Sequence, residues 1–98
     1  MPYLVSYDIS RDKMRIKAAR RLLAEGFVRA QKSVFVTDLE PVHGIAVLQA
    51  WLEQHIDPKT DALLIAYLTE RQLKSVIVSG VDNPQLGFVI NPPNTLIF

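Results

Sequence analysis

Apolar and polar positions alternate in part from Tyr3 to Ile9, and the stretch "YLVSYDI" is rich in β-branched and aromatic residues, which predicts a strand. The spacing then changes. Ser10 or Asp12 can cap a helix running to about Glu25, with Ile16, Ala19, Leu22 and Leu23 on its apolar side. Gly26 is the expected stop, since glycine accepts the left-handed conformation at a helix C-terminus. "FVRAQKSVFV", Phe27 to Val36, predicts a second strand. Pro41 sits where a second helix can begin, and Ile45, Leu48, Leu52 and Ile56 give that helix one apolar stripe with Trp51 beside it. Pro58 and Asp57 make "IDPKTD" a turn, after which "ALLIAYL" (62–68) and "KSVIVSG" (74–80) read as strands.

The order strand, helix, strand, helix, strand, strand predicts an α+β fold of the split βαβ, ferredoxin-like kind, an antiparallel four-stranded sheet with two helices on one face. That domain spans residues 1–80, and residues 81–98 form a C-terminal extension with a short extra strand. In "ALLIAYL" both alternating sets are apolar, as in a strand buried on two sides. The second sheet face therefore needs a cover, and a second copy of the chain is the simplest one. Pro92 and Pro93 hold the backbone extended ahead of Thr95 to Phe98, a segment suited to pairing with a sheet edge of the dimer or of another partner.

Composition narrows the classes. The chain has 98 residues, 49% hydrophobic, enough for one core that gains from further burial in an oligomer. No apolar run approaches the roughly 20 residues of a membrane helix, and the start lacks the features of a signal peptide, so no membrane association and a cytoplasmic location are expected. With no cysteine and only His43 and His55, disulfides and thiolate zinc sites are excluded, and any metal would be held by oxygen ligands. The net charge of +1 hides an asymmetry: eight Lys and Arg against three acids up to Val36 (+5), then three against seven (−4). Such a split suits one basic surface for a polyanion and one acidic surface for a basic partner, or else ordinary solvated helix faces.

On a helical wheel Lys13, Lys17, Arg20 and Arg21 share one face of the first helix, a basic stripe suited to phosphates. Arg15 falls outside it, near the helix start, where it could point back toward Asp8. Asp8 is costly to bury unpaired, so it faces solvent, a partner or a ligand. Three readings stand: a cap for the following turn, an ion pair with Arg15 or another base, or a divalent-metal ligand. Magnesium needs only one or two carboxylates with waters and phosphates, and a two-fold dimer supplies two copies of Asp8 for metal-assisted phosphodiester cleavage. His43 and His55 read as surface or helix-end residues, no acid being evidently placed beside them. Phe35 and Trp51 read as packing residues. The aromatic and glycine motif of an RNA-recognition module is absent from "FVRAQKSVFV".

"YLVSYDIS", "DKMRIKAARRLLAEGFVRAQKSVF", "IDPKTDALLIAYL" and the "VSG" at 78–80 together resemble the small CRISPR-associated protein family known as Cas-two, over about residues 3–80. The resemblance implies a ferredoxin-like homodimer whose sheets pack face to face, with the first-strand acids near the dimer axis. It implies Asp8 as the ligand of Mg2+ or Mn2+, with Tyr7, Ser10, Arg15, Arg29, Ser33 and Phe35 around it as catalytic motif positions. It further implies metal-dependent endonuclease activity on RNA or double-stranded DNA, and a bridging role between integrase subunits in spacer acquisition. "VTDLEPVHG" and "VDNPQLGFVINPPNTLIF" carry no family motif. A stand-alone toxin-type endoribonuclease of similar fold is the alternative reading.

Overall fold

In the computed structural model, which describes residues 2–75, the chain runs β1 (Tyr3–Asp8), α1 (Asp12–Ala24), β2 (Val28–Gln31), β3 (Val34–Thr37), α2 (Ile45–His55), β4 (Ala62–Tyr67) and α3 (Glu70–Lys74). The four strands form one sheet in the order β2-β3-β1-β4, with all neighbours antiparallel. This is the expected ferredoxin-like arrangement, reached by a different order of elements, since residues 27–36 supply two of the four strands.

Alternation along β1 decides what each sheet face contains. Tyr3, Val5 and Tyr7 are buried on one face, and their cross-strand partners Thr37, Phe35, Tyr67, Ile65 and Leu63 share it. Against them pack Ala18, Ala19 and Leu22 of α1 and Leu48 and Leu52 of α2. Each fully buried aliphatic or aromatic side chain here contributes about 1.5–3 kcal/mol. Ile45, Trp51 and Ile56 close the margin of this core as half-buried residues. The stripe expected on α2 is therefore the one that packs. On α1 the apolar side is narrower than expected, because Ile16 and Leu23 are 53% and 47% exposed. Ala18, Ala19 and Leu22 make the helix's contact with the core, and Ile16 and Leu23 fall outside it.

Several expected boundaries move. Residues 27–36 form a hairpin, not one strand: Lys32 and Ser33 turn the chain, and the register shifts between Arg29 and Gln31. Arg11 is the N-cap of α1 without a side-chain cap bond, and Asp12 is already helical. Gly26 ends α1 as expected, at φ +99°. The Phe27 N–H donates to Leu22 O at 3.0 Å and the Gly26 N–H to Leu23 O at 3.1 Å, a Schellman closure that leads directly into β2. A turn at Pro41 precedes α2, which starts after Gly44 (φ +87°). Glu40 serves its N-terminus, accepting from the Ile45 N–H at 2.9 Å and from the Tyr3 hydroxyl at 2.7 Å. That bond to Glu40, aided by burial, holds the Tyr3 hydroxyl up at about 12.

The largest correction concerns the end of the domain. Lys74 lies in α3 and Ser75 caps it, so the strand expected from Lys74 does not begin there. A capping box drives the helix: Thr69 Oγ1 accepts from the Gln72 N–H, and the Gln72 side chain accepts from the Thr69 N–H. The rest of that strand, 76–80, and the extension 81–98 with its tail strand lie outside the described residues. Leu73 of α3 packs with Val36, Ala30, Leu4 and Val34 on the sheet face opposite α1 and α2. The second face is thus partly covered by this chain itself. In the single chain, Leu64 and Tyr67 of β4 are 55% and 59% exposed.

The "IDPKTD" turn is locked by Asp61. Its carboxylate accepts from the Asp57 N–H at 2.9 Å and from the Ser10 N–H and hydroxyl, each at 3.0 Å. The loop after β1 is thereby tied to the start of β4. These bonds, led by the one from the Asp57 backbone, depress the Asp61 carboxyl from 3.8 to about 2. A depressed folded value means that Asp61 stabilises the fold fully above its ordinary range, and that this contribution is lost as pH falls through about 2. A carboxyl titration by NMR should give Asp61 a midpoint near 2; a midpoint near 3.8 would mean that the tie is not formed in solution.

Candidate nucleic-acid interface

Asp8 is the last residue of β1 and pairs with Ala62 across the strand, on the face that carries Leu4, Ser6, Leu64 and Ala66. It is exposed, and its side chain makes no hydrogen bond or ion pair among the described residues. Of its three sequence readings, the cap and the pair with Arg15 are not found. Arg15 pairs instead with Asp12, three residues earlier on the same helix. Ser10 is taken by Asp61 and positions the loop.

Tyr7 points the other way, as alternation requires. A cleft of about 360 Å³ opens there between the end of β1, the start of α1 and the β2–β3 turn, lined by Tyr7, Asp12, Arg15, Ile16, Arg29, Lys32 and Ser33. The Tyr7 ring stacks on Phe35 at 5.9 Å, and the Arg29 guanidinium lies 5.0 Å from the Phe35 centroid. Phe35 is fully buried, so it anchors both neighbours. Burial pushes the Tyr7 hydroxyl up, with Arg29 and Arg15 opposing. Arg29 Nε is buried and has no hydrogen-bond acceptor among the described residues. Four of the six residues expected around Asp8, namely Tyr7, Arg15, Arg29 and Ser33, are brought together here, with Phe35 beneath them and Ser10 elsewhere. Lys32 joins them without having been singled out in the sequence; its place next to Ser33, in the turn of a hairpin read as one strand, hid it.

The basic stripe is real but shorter than the wheel implies. Lys13, Lys17 and Arg20 are exposed. Arg21 is turned aside: its Nε donates to Glu25 Oε2 at 2.9 Å and its guanidinium lies 5.0 Å from the Trp51 ring. The Lys17 ammonium approaches the same ring at 5.9 Å, and Trp51 stacks on His55 at 4.1 Å. Trp51 thus packs, as expected, while also drawing cations to the groove between α1 and α2. His55 sits at the end of its helix, with Nδ1 2.7 Å from Trp51 O. His43 is a surface residue, as expected, but an acid does lie beside it. Glu25, 2% exposed, accepts the His43 N–H at 2.8 Å and faces the His43 Nδ1 at 2.6 Å. Burial opposes ionisation of Glu25, but the bonds from His43 and Arg21 prevail and hold its carboxyl below the ordinary range.

Residues 1–76 match the family described as CRISPR associated protein Cas2. The chain belongs to the Cas2 family. The CRISPR-associated endoribonuclease Cas2 of Aeropyrum pernix is 58% identical over 33 residues, a match spanning 34% of this chain and 36% of that protein. Among solved structures, hypothetical protein TT1823 of Thermus thermophilus is 33% identical with a TM-score of 0.66, over 84% of this chain and 93% of that one. Streptococcus pyogenes Cas2 is 28% identical with a TM-score of 0.69, over 82% and 100%.

Among the described residues no three His, Asp or Glu side chains converge. One chain offers the lone, unpartnered carboxylate of Asp8, which fits Mg2+ or Mn2+ completed by waters and substrate phosphates but not a closed protein cage. No helix of the described residues is long and apolar enough to cross a membrane.

Glu25 holds the α1–α2 connection through His43 and Arg21, so Glu25→Ala should destabilise the fold by about 2–3 kcal/mol, read from the urea midpoint. A loss below about 0.5 kcal/mol, the range of ordinary surface substitutions, would contradict that role.

Proposed function

We propose that this chain is a nucleic-acid-binding subunit of CRISPR spacer acquisition, acting as a homodimer that bridges integrase subunits. The observation that carries the reading is the outward row of cations on α1, Lys13, Lys17 and Arg20, which form no ion pair among the described residues. Such a row contacts phosphates at spacings set by the helix and gives affinity without reading bases. The exposed apolar positions on the Asp8 face, Leu64 above all, support a second copy as the cover for the part of the sheet that α3 leaves open.

A second reading, metal-dependent endonuclease, is favoured by the exposed and unpartnered carboxylate of Asp8 and by the name of the Aeropyrum pernix relative. In the dimer two copies of Asp8 would hold Mg2+ or Mn2+, which when bound would activate water and offset charge on a phosphodiester of RNA or duplex DNA. This chain's own part is to present the carboxylate at the strand end and to seat the strand on its cations.

Labelled single-stranded RNA and duplex DNA, tested with magnesium, manganese or EDTA, separate the two. Reversing Lys17 and Arg20 to Glu should abolish duplex binding, while Asp8→Asn binds like the parent protein. Metal-dependent cutting that is lost only in Asp8→Asn, with the dimer intact, would establish the nuclease. Equal results for the parent and Asp8→Asn would make Asp8 structural and the protein a scaffold. Binding unaffected by the charge reversal would refute the phosphate role of α1.

A further inference from the structure

We infer that the cleft between the end of β1, the start of α1 and the β2–β3 turn is a binding site for a single phosphate group. Three cations border it, Arg15, Arg29 and Lys32, against one acid, Asp12, whose carboxylate is already paired with Arg15. The decisive group is Arg29. Its Nε is buried with no acceptor among the described residues, and its guanidinium lies 5.0 Å from the centroid of Phe35, a fully buried ring. A buried donor left unmet is costly, and its neighbours across the cleft are two further cations and the hydroxyls of Tyr7 and Ser33. The arrangement lacks an anion with several acceptor oxygens. A tetrahedral phosphate meets a planar guanidinium fork and a second point charge at once, whereas a carboxylate presents only two oxygens.

The site differs in kind from the α1 stripe. Lys13, Lys17 and Arg20 are exposed and long, so they hold a polyanion without fixing it. The cleft is recessed and its main donor is preorganised, so it fixes one phosphate. The phosphate can belong to a nucleic-acid strand or be free, and only the first source rests on the function proposed above. In that case the cleft sets the register of the strand one residue along β1 from Asp8, on the opposite sheet face.

The test uses the full chain and the side-chain Nε–H signals of its arginines by NMR, titrated first with inorganic phosphate. A saturable shift of the Arg29 signal, weakened several-fold by Lys32→Gln, is expected, and Lys32 is exposed enough that this variant keeps the fold. Equal, unsaturating drift at Arg20 and Arg29, or no response at Arg29, would overturn the site. A short oligonucleotide added at saturating phosphate then assigns the source. Displacement of phosphate from Arg29 identifies a strand phosphate; oligonucleotide shifts confined to α1, with Arg29 still reporting phosphate, identify the free group. If Arg29 responds to phosphate while no oligonucleotide binds at all, the cleft stands and the nucleic-acid reading falls.

Discussion

The register of β1 between β3 and β4 is the constraint on which the rest depends. Because side chains alternate with a period of two, one setting of this central strand puts Tyr3, Val5 and Tyr7 into the core and Ser6 and Asp8 outside it. A slip of one residue would drive a carboxylate under α1 and α2 and expel two tyrosines. The cost of that exchange, several buried aromatic contacts plus an unpaired buried charge, fixes the register firmly. The same parity separates the chemistry into two regions that are adjacent in sequence and opposite in space. Tyr7 belongs to the cationic cleft, and Asp8 belongs to the exposed sheet face.

Polar ties then hold the elements against this frame. Asp61 binds the loop after β1 to the start of β4, Glu40 joins Tyr3 of β1 to the first turn of α2, and Glu25 joins the end of α1 to the segment before α2. Each uses a carboxylate to satisfy backbone N–H groups that would otherwise be unmet. These three acids are therefore structural, whereas Lys13, Lys17 and Arg20 of α1 and Lys32 of the β2–β3 turn are exposed.

Much of the fold was legible because its periods are local. β1, α1, α2 and β4 each announce themselves within a dozen residues, and Gly26 marks its own helix end. The hairpin was hidden because "QKS" carries no glycine, proline or asparagine to signal a turn. α3 was hidden because five residues hold too little periodicity, although Thr69 followed by Gln72 is a legible capping box. Of the site, the motif positions were legible as a set and their division between two faces was not. The partnership of Glu25 with His43 spans 18 residues and that of Ser10 with Asp61 spans 51, so neither has a sequence period. Arg21 left the stripe for Glu25, an i,i+4 partner one helical turn on, and for the Trp51 ring contributed by α2.

We propose that nucleic acid meets this protein on the helix side of the sheet, along α1 and into the cleft. Lysine footprinting by acetylation and mass spectrometry tests it on the full chain, with and without bound duplex, because all five described lysines are exposed. Lys13, Lys17 and Lys32 should become protected while Lys59 and Lys74 react as in the free protein. Protection of Lys59 and Lys74, with Lys13 and Lys17 unchanged, would contradict it.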